Sequence, residues 1–147
     1  MSLFTSFDIN ASGLTAERYR MDIISQNIAN ANTTRTEDGT PYRRKVVTFA
    51  EKDSQTPFSR VLHAARDNYS GKGVRVSTVE EDKWTEMKMV YDPAHPDADE
   101  NGYVLYPNVN IVTEMTNMID ASRAYEANAT AFSASKSIAL KGLEMAQ

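Results

Sequence analysis

The sequence predicts an α+β chain in which long N- and C-terminal α-helices pair as a coiled-coil-like helical domain, with a small β-rich insertion between them. Three observations carry this. Toward the C-terminus Ile111, Met118, Tyr125, Phe132 and Ala139 recur every seven residues, with Met115, Ser122, Ala129 and Leu143 four further on, the spacing of a helix that packs lengthwise on another. Near the N-terminus Phe7, Leu14, Met21 and Ile28 repeat at the same interval. From Arg35 to about Pro107 the helical period disappears, and Gly, Pro and Asn turn clusters separate short strand-like runs. On this reading residues 1–34 and 107–147 form one discontinuous helical domain, and 35–106 form the inserted module.

The first helix is expected over about residues 2–31. Ser2 or Thr5 would cap it, Thr5 and Asp8 have capping-box spacing, and no proline occurs before Pro41. Gly13, among Ala11, Ser12 and Ala16, is either a tolerated defect costing about 1 kcal/mol relative to Ala or a place where another helix backbone comes close. Asn27, Asn30 and Asn32, followed by Thr33 and Thr34, punctuate the helix end, and Asn27 also falls where a polar seam residue could fix register.

In the insertion, Glu37 to Pro41 reads as a turn and Arg43 to Phe49 as a strand. Phe58 to Ala65 fits a short strand or a helical turn, and Ser70-Gly71-Lys72-Gly73 is a turn. Val74, Val76 and Thr78 alternate with polar residues, as do Met87, Met89 and Tyr91. Asn101-Gly102 then turns the chain into Tyr103 to Tyr106. Trp84, the only tryptophan, reads as a core residue or, less favoured, as an anchor for a partner. The last helix follows Pro107, capped by Asn108 or Asn110, with Glu114 in its first turn where a carboxylate suits the helix dipole. Its alanines, including Ala121, Ala124 and Ala127, give it a slim profile for close packing.

Helices over 2–31 and 110–145 would reach about 45 and about 52 Å at roughly 1.5 Å per residue, long for so small a protein. Such a rod exposes much of its seam, which makes assembly the leading functional question.

The formal charge of −4 and an isoelectric point near 5.2 argue against general affinity for nucleic acid or anionic membrane. The short basic run Arg43-Arg44-Lys45 reads as a solvated face or, less favoured, as a local contact for phosphate or an acidic partner. Without cysteine there is no disulfide framework and no thiolate metal site. No stretch approaches the roughly 20 apolar residues of a membrane span. The first nine residues carry no Lys or Arg, so a cleaved secretory signal is not expected.

Asp97, Asp99, Asn101 and Gly102 match the first half of a calcium loop. Leu105 and Asn108 then occupy positions nine and twelve, and Pro93 and Pro96 oppose an entering helix. His63 and His95 have no zinc spacing, and no G-x-S-x-G or P-loop occurs. Asp92, His95 and Asp97 are the sole candidates for a hydrolytic cluster. No catalytic, cofactor-binding or metal residue is therefore assigned, and the chain is expected not to be an enzyme.

The run Leu3-Phe4-Thr5-Ser6-Phe7-Asp8-Ile9, continuing through Ser12-Gly13-Leu14-Thr15-Ala16 to Ser25-Gln26-Asn27-Ile28-Ala29-Asn30 and Thr33-Thr34, resembles the N-terminal signature of bacterial flagellar axial proteins. The stretch Arg35 to Pro41 before Tyr42-Arg43-Arg44 resembles their basal-body rod branch. Val90-Tyr91-Asp92-Pro93, Tyr106-Pro107-Asn108-Val109-Asn110 and Ala121-Ser122-Arg123-Ala124-Tyr125-Glu126-Ala127-Asn128 agree with it.

The resemblance implies a structural subunit of the proximal rod in the basal body, exported unfolded by the flagellar type III apparatus and folding on incorporation into a helical tube. Implied partners are copies of itself, the rod proteins FlgB, FlgF and FlgG, and the FliE adaptor, with no nucleic acid, small-molecule substrate or membrane span. Together with the seams, it marks Phe7, Leu14, Met21, Asn27, Ile28, Asn30, Ile111, Met115, Met118, Tyr125, Ala129 and Phe132 as the expected assembly interface. A second reading is a soluble export chaperone or adaptor with a two-helix arm.

Overall fold

The structure is a computed structural model, and it describes residues 3–52 and 73–145. The element order is α1 (Leu3–Ala29), β1 (Lys45–Glu51), β2 (Val74–Glu81), β3 (Lys88–Tyr91), β4 (Tyr103–Tyr106) and α2 (Ile111–Glu144). The two helices run antiparallel, since Asn27 meets Glu114 near one end and Phe7 meets Phe132 near the other. The expected segment Phe58 to Ala65 lies outside the described residues.

Thr5 is not a cap, because α1 is already helical from Leu3 and the hydroxyl lies inside the first turns. Ser2 lies outside the described residues. Asn110 caps α2, its side-chain oxygen accepting from the backbone N–H groups of Val112 at 3.0 Å and Thr113 at 3.2 Å. Asn108 is thereby freed for a different task, described below.

The helix seam differs from the hydropathy reading in one respect. Met118, Tyr125, Phe132 and Ala139 do lie half-buried along α2. The companion row on the same face is Glu114, Ala121, Asn128 and Ser135, whereas Met115 is 55% exposed and Leu143 also faces outward. On α1, Phe7, Leu14, Met21 and Ile28 flank a more deeply buried line of Gly13, Ala16, Ile24 and Asn27. The helices approach closely through small and polar residues, and a reading that ranks positions by hydrophobicity passes over such a line.

Gly13 shows how close that approach is. A Cβ built on it would stand 3.0 Å from Cγ and Oδ1 of Asn128, so the facing helix comes close here through a side chain.

Among its described residues the insertion holds two antiparallel strand pairs. β1 pairs with β2, with Val47 opposite Val79 and a register irregularity between Thr48 and Phe49. β3 pairs with β4, with Met89 opposite Leu105 and Val90 opposite Val104. Val104 is buried, while Met89, Tyr91, Tyr103 and Leu105 form the outward face, with the Tyr91 and Tyr103 rings edge to face at 5.2 Å. Gly102 turns into β4 at φ +81°, and a Cβ there would crowd Tyr91 and Pro93 at about 3 Å.

Burial is graded along the helix pair. Every residue of α1 and α2 in the buried class lies within Gly13–Asn27 or Glu114–Ala121, and the far halves carry only half-buried and exposed side chains among the described residues.

Candidate assembly interface

The buried end of the helix pair is organised by one polar cluster. Asn27, 1% exposed, has its side-chain hydrogen bonds filled. Its amide donates to the Lys45 carbonyl at 2.8 Å and to Oε2 of Glu114 at 2.9 Å. Its oxygen accepts from the Tyr42 hydroxyl and the Lys45 N–H, both at 2.9 Å. These bonds tie α1, the start of β1 and α2 into one joint, and an amide is suited to this because it both donates and accepts.

Glu114, 1% exposed, is the second member. Arg44 reaches its Oε1 through Nε at 2.9 Å and Nη2 at 2.8 Å, and the Asn117 amide adds a donor at 3.2 Å. A buried carboxylate so supplied is held as a charge-assisted pair. The helix-dipole role expected of Glu114 is thus secondary to this pairing. Burial, then the nearby carboxylates of Glu114 and Glu81, push the Tyr42 hydroxyl above its ordinary 10.0, keeping it a donor.

The basic run is therefore not simply a solvated face: Arg44 turns inward to Glu114 because a buried carboxylate needs a cation. Its Nη1 also stands 3.6 Å from Asp82. Asp82 accepts from the backbone N–H groups of Trp84 at 3.1 Å and Thr85 at 3.0 Å, and from the Thr85 hydroxyl at 2.7 Å. The Thr85 hydroxyl and the two N–H bonds, with Arg44 behind them, hold this carboxyl below its ordinary 3.8. Asn108 closes the cluster, accepting from the Arg44 N–H at 2.9 Å and donating to the carbonyls of Asp82 at 2.8 Å and Thr85 at 3.2 Å.

Around this joint the chain displays apolar surface. Trp84 is 96% exposed rather than in the core, because the short turn over Asp82 to Thr85 points it away from both sheets. Ile111, Val112, Met115 and Ile119 make an exposed stripe at helical spacing on α2. The stripe borders a groove of about 680 Å³ lined by Ala31, Val90, Tyr106, Pro107 and Val109 among others. At the far end Ile138, Leu140, Leu143 and Met145 are exposed.

The residues expected at the interface thus fall into three groups, with Asn30 apart from them. Asn27 belongs to the polar joint. Phe7, Leu14, Met21, Ile28, Met118, Tyr125, Ala129 and Phe132 are half-buried along or beside the seam, with Phe7 and Phe132 in ring contact at 5.1 Å. Ile111 and Met115 face outward, while Asn30 finishes α1, its amide donating to the Gln26 carbonyl at 2.9 Å. Sequence reasoning missed the shared use of Tyr42, Arg44, Asp82, Asn108 and Glu114. The one available signal was a carboxylate on the seam face of α2, four residues before Met118.

In the acidic loop Asp97 accepts from the Thr34 hydroxyl at 2.8 Å and lies 3.6 Å from Arg35, so it fastens the loop to the segment that follows the turn after α1. Among the described residues no three His, Asp or Glu side chains gather where one metal ion could be held. None of the described helices is long and apolar enough to cross a membrane.

Comparison with known proteins places this architecture. A family described as "Flagella basal body rod protein" matches residues 7–35, and one described as "Flagellar basal body rod FlgEFG protein C-terminal" matches residues 100–145. The flagellar basal-body rod protein FlgC of Borreliella burgdorferi is 48% identical, the alignment covering 100% of the chain and 99% of the relative. The chain belongs to the FlgC family of flagellar basal-body rod proteins. FlgC of Bacillus subtilis is 42% identical with 99% of each chain covered, and FlgC of Salmonella typhimurium 41% identical with 100% of each covered. The two family matches fall on α1 with the turn after it, and on α2 with the strand before it, segments that hold Asn27, Asn108 and Glu114 of the joint. The chaperone or adaptor reading finds no support in these relatives.

Proposed function

We propose that the chain is a structural subunit of the bacterial flagellar rod, placed in its proximal segment, and that the far half of its helix pair acquires fixed structure as the subunit is wedged between neighbours. The family membership supports the first statement. The observation that carries the second is the burial gradient: the joint is sealed by Asn27, Glu114 and Ala121, whereas the far half ends in exposed Ile138, Leu140 and Leu143. A helix pair whose apolar side chains remain half in water gains too little to offset the entropy of ordering it. Neighbouring subunits supply the missing surface.

In this reading residues 1–34 with 107–147 form the inner axial part and 35–106 the outer part. Partners are further copies, the rod proteins FlgB, FlgF and FlgG, and the FliE adaptor, with delivery through the flagellar type III export apparatus. The assembly face comprises the seam residues given above together with the stripe from Ile111 to Ile119. Met21, Met115 and Met118 adapt to non-identical neighbours. Torque passes through many packed contacts.

Hydrogen exchange on dilute purified chain tests this. Amides around Ile24–Asn27 and Glu114–Ala121 are expected to be protected, those of residues 5–12 and 132–144 to exchange early, and the latter to slow in isolated basal bodies. Uniform protection of all 27 residues of α1 and all 34 of α2 in the dilute chain would refute coupled ordering. A second expectation concerns Trp84. Replacing this solvent-exposed side chain by Ala should change stability by no more than about 0.5 kcal/mol, yet reduce the amount of chain recovered in basal bodies, read by quantitative blotting beside swimming in soft agar.

A further inference from the structure

Trp84 is the only tryptophan in the chain, and the turn that carries it is anchored twice to the start of α2. One anchor is a relay of charge: Glu114 in the first turn of α2 binds Arg44, and Arg44 lies beside Asp82, whose carboxylate gathers the N–H groups of Trp84 and Thr85. The other is Asn108, two residues before the α2 cap, whose amide donates to the carbonyls of Asp82 and Thr85. Between these anchors the indole itself is free in solvent.

We infer that docking of the first turn of α2 on α1 tightens the position of Trp84, so that the exposed indole is held most firmly in a chain whose terminal helices have paired. Glu114, Arg44 and Asn108 act as positioning residues for it. The physical reason lies in what each anchor loses when α2 leaves. Arg44 is held inward by a carboxylate that is buried only while α2 is seated. Asn108 reaches the turn only while Asn110, two residues on, starts a helix in that place. The turn closed by Asp82 and Thr85 survives as a local motif, since its bonds span three residues. What it loses is its two ties to α2, leaving the Asp82 N–H on the Arg44 carbonyl at 2.8 Å and the end of β2 as its remaining attachment. The inference rests on no particular partner for Trp84 and stands or falls separately from the rod reading.

The single indole gives a site-specific readout on the full chain. Time-resolved fluorescence anisotropy of Trp84 is compared in the natural chain, in Asn108→Ala and in Glu114→Gln, with circular dichroism at 222 nm recording helix content. In either variant that retains its helix signal, the amplitude of the nanosecond depolarising component is expected to rise about twofold, nanoseconds being the timescale of loop motion. Loss of helix in both variants leaves a test in the natural chain: in a urea titration the anisotropy of Trp84 should fall together with the last loss of helix signal, that of the joint. Unchanged anisotropy in a helical variant, or an indole that loosens well before any helix is lost in urea, would overturn the inference.

Discussion

Arg44→Ala is expected to destabilise the chain by about 3 kcal/mol, the low end of the 3–5 kcal/mol typical when one partner of a buried ion pair is removed. The reason is what remains. Glu114 is 1% exposed, and without the guanidinium its Oε1 keeps only the Asn117 amide at 3.2 Å, while Oε2 keeps that of Asn27. Two amide donors soften the penalty for a stranded carboxylate without removing it. Arg44 itself is about a quarter exposed, so water can follow part of the vacated space, which also argues for the lower figure.

Urea unfolding of the purified chain measures the effect, with Arg43→Ala as the control that removes the same charge one residue away. The control should shift stability by no more than about 0.5 kcal/mol. Arg44→Lys should fall between the two, since an ammonium keeps the charge but cannot supply Nε and Nη2 together to one oxygen. Equal losses in Arg44→Ala and Arg43→Ala would mean that net charge, rather than pairing with Glu114, sets the stability.

The elements were largely legible in the sequence because their signals are local. Seven-residue spacing announced both helices, the pair Asn108 and Asn110 announced the start of α2, and alternation at Val74 and Val76 announced β2. The joint was not legible, because it is assembled from residues far apart in the chain. Asn27 meets Glu114 across 87 positions and Arg44 meets it across 70, and neither pairing leaves a periodic trace. Asn27 was recognisable as a seam candidate from its place in the heptad. That its partners would be Tyr42, the backbone of Lys45 and a buried acid was not, since nothing about Glu114 separates a dipole-stabilising residue from an ion-paired one.

The core reading of Trp84 fails for a related reason. Tryptophan is usually well buried, and only the local bonds of Asp82 to Thr85, which form a tight turn, direct it outward. The hydropathy row Met115 and Leu143 marks the same limit from the other side. In a rod subunit an apolar residue belongs either to the seam within the chain or to a surface met by a neighbour, and the two share one sequence signature.

Gly13→Leu should cost about 3 kcal/mol, near the top of the range for overpacking a close contact, while Gly13→Ala should be close to neutral. Two effects oppose each other at this position. A Cβ gains up to about 1 kcal/mol by restricting the unfolded backbone within a helix, but it would stand 3.0 to 3.1 Å from the Asn128 side chain. Asn128 can yield a few tenths of an ångström for a methyl group, at the expense of its 3.0 Å bond to the Ala124 carbonyl. It cannot yield room for an isobutyl group while Ala16 and Ala121, both essentially buried, hold the helices together on the joint side. The helices must then separate at this level, opening the seam toward the far half. If Asn128 is the obstacle, Asn128→Ala in the Gly13→Leu background should recover at least about 1 kcal/mol, a coupling of the size expected for residues in direct contact. Additive losses in the double variant would place the obstruction elsewhere along the seam, and a Gly13→Leu chain as stable as the natural one would show that the helices do not approach there as closely as 3 Å to a Cβ implies.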